Sequence, residues 1–129
     1  MVDAVTSQTL VDGPRNAVMK FTNISDGSGE SAVTKVDVSA LSGAPDEVRI
    51  DRIDYSTIGM GVNVLWDADS DVVAFVLPSG GDGTFDFESF GGVTNNAGTG
   101  VTGDIKFTTV GATSGDTYTV VLHMVKKYA

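Results

Sequence analysis

No cysteine occurs among the 129 residues, which excludes disulfides, thiolate zinc sites and a cysteine nucleophile, and leaves the redox compartment undecided. His123 is the sole histidine; one imidazole cannot build a multi-histidine metal site, nor be identified as a base without a placed nucleophile. Positive charge is scarce, with eight Lys and Arg against seventeen Asp and Glu, for a net charge of −9. Nucleic-acid affinity depends on cationic side chains that displace counterions, so nucleic acid is not an expected partner. The longest apolar run is only Val72–Leu77, and the opening MVDAVTSQTLVDG has neither a basic n-region nor an apolar h-region. Neither a membrane partner nor a secretion signal is therefore expected. Glutamate is limited to Glu30, Glu47 and Glu88. Glu favours helices whereas Asp favours turns and caps, so an Asp-dominated acidic set beside abundant Val, Thr and Gly points to strands joined by tight loops.

A chain of this length reads as one domain that buries roughly 65–70% of the surface its unfolded form exposes. Period-two alternation bounded by Gly, Asp, Asn and Ser recurs from end to end and predicts strands at Val5–Val11, Ala17–Ile24, Ala32–Val38, Val48–Tyr55, Val62–Trp66, Val72–Leu77, Thr84–Phe87, Ile105–Val110 and Tyr118–Val125. Eight or nine short strands with this punctuation imply an all-β, antiparallel β-sandwich, jelly-roll-like in character. Residues 1–12 are expected as an N-terminal arm or edge strand, and residues 13–129 as the single sandwich domain. In VRIDRIDY the alternation slips by one residue, the mark of a bulge. Val72–Leu77 is apolar on both faces and is read as a central strand covered on both sides; the alternative is an outer face that meets another chain. Ser89–Gly103, SFGGVTNNAGTGVTG, is the one long segment without an evident strand, and such loops are where contact surfaces concentrate.

Several motifs invite a chemical reading. Asp67, Asp69 and Asp71 in LWDADSDVVAFVLP have the spacing with which calcium loops begin, but an EF-hand-like loop would need Gly where Val72 stands and a bidentate Glu where Pro78 stands. A hairpin turn with a solvent-facing cap is expected instead. Gly98, Gly100 and Gly103 spell the dinucleotide fingerprint G-x-G-x-x-G, yet they lead into the strand-like DIKFTTV rather than a helix, so no cofactor is expected. The carboxylate pairs Asp86/Glu88 and Asp51/Asp54 could serve glycoside hydrolysis in principle. Asp86 and Glu88 alternate with Phe85 and Phe87, however, as in a strand with one wet face, and no catalytic residue and no metal ligand is assigned. Trp66, at a strand end, would be the centre of a sugar-stacking platform in a carbohydrate-binding module; core packing is the expected role for it and for the other strand aromatics.

The phrases VLWDA (64–68), VAFVLP (73–78) and above all TGDIKFTTVGATSGDTYTVVL (102–122) resemble a group of small virion proteins of tailed bacteriophages, of the head decoration or capsid-stabilising type. Weaker agreement reaches back through VTKVDVSAL to DGPRNAVMKF. The resemblance implies a jelly-roll-like sandwich on the outer surface of an assembled capsid, with the major capsid protein as partner, and hands over no active-site residues. A symmetric homo-oligomer, a trimer, is expected on a symmetric lattice. A tail or fibre component is the rival reading within a virion. Candidate interface residues are Phe90, Asn95 and Asn96 in the long loop and an outer face formed by Val73, Phe75 and Leu77.

Overall fold

The computed structural model describes residues 4–127 except 26 and 28, with the backbone alone at residues 4, 5 and 90. Nine strands run through the described residues: β1 (Ala4–Asp12), β2 (Asn16–Ile24), β3 (Val33–Val36), β4 (Glu47–Ile58), β5 (Gly61–Trp66), β6 (Val72–Leu77), β7 (Gly81–Asp86), β8 (Ile105–Val110) and β9 (Thr117–Lys127). Each expected strand is present, with ends moved by a few residues. Short 3-10 turns at Val38–Ala40 and Glu88–Phe90 are the helical elements beside them.

The strands form two antiparallel sheets, ordered β1-β2-β9-β4-β7 and β3-β8-β5-β6. Four nested pairs generate this order: β2 with β9, β3 with β8, β4 with β7, and β5 with β6. The chain is thus one long antiparallel hairpin with its tip between β5 and β6, rolled so that successive ribbons fall alternately in the two sheets. That is a jelly roll, with β1 added to the outside of β2. The slip in VRIDRIDY is a bulge, since the β4–β9 register shifts between Ile50 and Arg52. It lets Val48 and Ile50 before it and Ile53 after it all face inward, each essentially without exposure.

Alternation dictates the core. Tyr118, Val120, Leu122 and Met124 line the inner face of β9, and Val62, Val64 and Trp66 that of β5, all buried. Phe107 of β8 meets Phe21 and Tyr118 edge-on, at 5.2 and 5.8 Å between ring centres, a favoured aromatic geometry that locks the sheets together.

The reading of Val72–Leu77 as a central, doubly covered strand is corrected: β6 is an edge strand, bonded to β5 alone in its sheet. Its register shifts between Val64 and Leu65 of the partner, which leaves Ala74 as an extra residue. Phe75 and Leu77 therefore stay on one face, opposite the buried Val64 and Val62, while Val73 is separated from them. Leu77 is buried, Phe75 is half-buried against Phe85 and Phe87, and Val73 is 50% exposed, as is Val76 at 57%. Continuous apolarity cannot separate a covered strand from an edge strand whose outer face awaits a partner.

A polar network spans the two sheets near one end. Glu30 accepts hydrogen bonds from the Tyr118 hydroxyl at 2.5 Å and from Asn23 at 3.2 Å, and pairs with the Lys35 ammonium at 2.5 Å, with the Lys35 and Glu30 side chains 3% and 5% exposed. Removing one member of a buried pair strands the other charge without compensation. Glu30→Ala is accordingly expected to cost about 3–5 kcal/mol of unfolding free energy in a denaturant titration. A loss below about 1 kcal/mol, the value for exposed pairs, would contradict this placement.

Candidate functional site

The connections β1–β2, β3–β4, β5–β6 and β7–β8 meet at one end of the sandwich, where much of the acidic charge gathers. The aspartates of the DADSD tip serve separate purposes there. Asp67 accepts from Thr102 Oγ1 at 2.6 Å and pairs with Lys106 Nζ at 2.7 Å, while Asp71 lies 3.5 Å from the same ammonium and caps the Ala68 N–H at 3.1 Å. The Asp69 N–H donates to the Thr99 carbonyl at 3.0 Å. Lys106 thus sits between the two carboxylates that a cation would bridge. Among the described residues no group of three or more His, Cys, Asp or Glu side chains is placed to hold a metal ion.

Two of the three glycines of the fingerprint-like run, Gly100 and Gly103, have a local reason, whereas a Cβ at Gly98 would meet nothing. Gly103 adopts φ +88°, and a Cβ there would run into the Asp46 carbonyl; at Gly100 it would run into the Asp69 carboxylate. Glycine permits both the backbone angle and the close approach. The next element is strand β8, with no helix to receive a pyrophosphate.

Two carboxyls at this end shift in opposite directions. Hydrogen bonds from Lys106 and Thr102 hold Asp67 below the ordinary carboxylate range. Burial pushes Asp104 up, aided by the negative charges of Asp37 and Asp67, although the Val38 N–H donates to it at 3.0 Å.

The long β7–β8 connection is anchored rather than loose. Val93 exchanges backbone hydrogen bonds with Ile50 at 2.7 and 2.9 Å, and Gly91, at φ +86°, ends the turn that contains Phe90. The Phe90 side chain lies outside the described residues. Asn95 closes a local turn by accepting from the Ala97 N–H at 2.9 Å, its side-chain amide nitrogen is buried with no partner among the described residues, and Asn96 is exposed. With Val101, 48% exposed, Asn95 lines a cleft of about 370 Å³ beside Asp46 and Glu47 at the start of β4.

The carboxylates considered for catalysis have separate partners. Asp51 pairs with Arg49 at 3.0 Å, and Asp86 accepts from the Glu88 N–H at 2.9 Å. Asp54 receives Thr84 Oγ1 at 2.6 Å, Arg52 Nε at 3.2 Å and His123 Nε2 at 3.1 Å. Burial acts to raise the Asp54 carboxyl, but these bonds outweigh it and hold it below its ordinary range. Trp66 is fully buried, its indole N–H without an acceptor among the described residues, so it offers no stacking face to a sugar.

Alternation in the sequence missed the exposed apolar residues that the sheet edges present: Leu10 and Val11 on β1 and Val76 beside Val73 on β6, each about half exposed. The available signal was the absence of any charge in Ala4–Val11 and Val72–Leu77. In comparisons with protein-family models and with curated proteins, the chain finds no match.

The opposed shifts predict opposed substitutions. A lowered carboxyl contributes stability that is present above the unfolded value, near 3.8, and lost as pH falls through the folded one; a raised carboxyl contributes stability present below the unfolded value and lost as pH rises through the folded one. At pH 7 Asp67→Asn should therefore lower the melting temperature by a few degrees, on the order expected for a small domain losing one polar anchor. Asp104→Asn should raise it, since an amide oxygen still accepts from Val38 without the buried charge. In scanning calorimetry both differences should shrink at pH 3. A destabilised Asp104→Asn at pH 7 would contradict the assignment.

Proposed function

We propose that this chain is a structural protein of a tailed-bacteriophage particle, one that binds the outer surface of the assembled capsid and bridges neighbouring major capsid subunits. The observation that carries this reading is the surface: Asp67, Asp71, Asp51 and Asp54 are each tied into an ion pair, while the edge strands β1 and β6 present exposed apolar side chains. Such a surface is built for contact rather than for bond-making. The resemblance gives the kind of particle, and its strongest phrase covers β8 and most of β9, strands interior to the two sheets. Jelly rolls recur in capsid and lectin domains, but fold alone assigns no role.

A decoration protein stabilises a shell by mass action, since it binds the assembled lattice and not its separated subunits; occupancy at 100 times Kd is worth about 2.7 kcal/mol per site. Many modest contacts then add through avidity. The −9 charge keeps free copies soluble and away from packaged DNA, which suits an outer position. The anchored loop carrying Phe90, Asn95 and Asn96 is the part offered to the capsid, and a symmetric trimer fits a three-fold lattice position.

Particles made without the protein, with purified chain then added back, provide the test. Added density on the outer face of the head and a higher temperature of heat-induced DNA release are expected. Density on the tail alone, or capsids equally robust and bare after addition, would overturn the proposal.

A further inference from the structure

Four strands form the edges of the two sheets, and two of them are protected in familiar ways. β7 presents exposed Asp82, Thr84 and Asp86 on its outer face, and β3 is four residues long with a bulge at Lys35. β6 lacks such charge, and in β1 it is confined to the last residue, Asp12, which is paired with Lys126. Ala4–Val11 and Val72–Leu77 contain no charged residue and no proline, in a chain with seventeen acidic side chains. Among the described residues no backbone hydrogen bond reaches β1 except from β2, or β6 except from β5.

β1 is also bare on both faces. Every residue from Thr6 to Asp12 is exposed, with Leu10 and Val11 each at 47%. Ordering a residue costs about 1–2 kcal/mol of backbone entropy, and a one-sided ladder whose side chains stay exposed offsets only part of it. At the opposite side of the sandwich β6 borders an unfinished surface. Phe75 and Phe85 are half-buried, their rings 4.7 Å apart; Val73 and Val76 are exposed, and Val76 lines an apolar groove of about 450 Å³ with Gly61, Pro78 and Val110.

We infer that β1 of one copy adds to the free edge of β6 in the next, joining the first sheet of one molecule to the second sheet of its neighbour. Only this pairing supplies both strands with what they lack. The inner face of the incoming β1 covers Phe75 and Phe85; its outer face lies beside Val73, Val76 and the groove. A β1–β1 pair would satisfy the edges and leave the faces of both strands bare, and a β6–β6 pair would leave β1 uncovered in both copies. The absence of charge matters because two chains of −9 can meet closely only where neither brings an acidic side chain into the contact. The contact is head-to-tail, so the assembly closes as a ring or continues as a chain.

The inference rests on the self-association within the proposed role and not on capsid binding, and purified chain alone tests it. Leu10→Asp damages β1 and leaves β6 intact; Val76→Asp does the reverse, and both sites are about half exposed, so the fold should tolerate either. Val11→Lys and Val73→Lys form a second pair should circular dichroism show either aspartate variant unfolded. By sedimentation, the natural chain should form assemblies of several 13.3 kDa copies, and each variant alone should be monomeric. An equimolar mixture of the two variants should form dimers, because one partner keeps its β1 and the other its β6. A monomeric natural chain, a mixture that stays monomeric, or assembly abolished by only one variant would overturn the inference; the last would indicate like-with-like pairing or an unrelated contact. A chain that assembles in this way yet ignores capsids refutes the virion role alone.

Discussion

β9 is hydrogen-bonded on both sides along most of its length, to β2 and to β4, and the rest of the structure depends on that double pairing. It joins the start of the rolled hairpin to its middle and lays Tyr118, Val120, Leu122 and Met124 into the core. Its two ends are fixed by different chemistry. At one, Tyr118 reaches the buried Glu30. At the other, the buried Lys126 ammonium donates to Asp12 at 2.5 Å and to the carbonyls of Gly13 and Ser42 at 2.6 and 2.8 Å. Lys126 thereby secures two loops, and its hydrogen bond is the main reason the Asp12 carboxyl lies below its ordinary range. Closure by the last strand makes the contacts mostly long-range in sequence, a topology that folds slowly relative to its size.

Rolling one hairpin into two sheets solves the pairing of interior strands and leaves four edges. The loop end is consolidated by polar contacts that cross from one connection to another, including Asp67 with Thr102 and Lys106 and Val38 with Asp104. The edges divide into a protected pair, β3 and β7, and a pair, β1 and β6, whose single charged residue is Asp12 at the end of β1, paired with Lys126. An acidic surface with two largely uncharged edges at opposite sides favours ordered association over indiscriminate sticking, since repulsion acts elsewhere. In the proposed lattice-coating role, that combination would set where copies touch.

Much of the fold was legible because alternation is a local property. The Ile50–Arg52 bulge, the buried inner face of β9 and the turn between β5 and β6 each follow from the spacing of a few neighbouring residues. What was not legible depends on contacts distant in the chain. VVAFVL is apolar in either a central or an edge strand, and only the pairing order decides. The bulge at Ala74 then separated Val73 from Phe75 and Leu77, which simple alternation groups together. Lys126 reads as part of a charged tail until the Gly13 and Ser42 carbonyls are brought to it. The missing Gly and Glu partners of DADSD already argued for a turn, but the position of Lys106, on a different strand, between Asp67 and Asp71 could not be read from the sequence. For the candidate site, the long loop was visible from its lack of pattern, whereas the bare faces of β1 appear only once the second sheet is seen to stop short of it.

Amide hydrogen exchange followed residue by residue at low and high protein concentration tests most directly whether β1 is a strand left uncovered in the single molecule. In dilute solution β9 amides should exchange only through global unfolding, and those of β1 much faster through local opening. On concentration, β1 and β6 should gain protection together while the protected edges β3 and β7 change little. Protection of β1 equal to that of β9 in the dilute monomer, or no gain at β1 and β6 on concentration, would contradict the account.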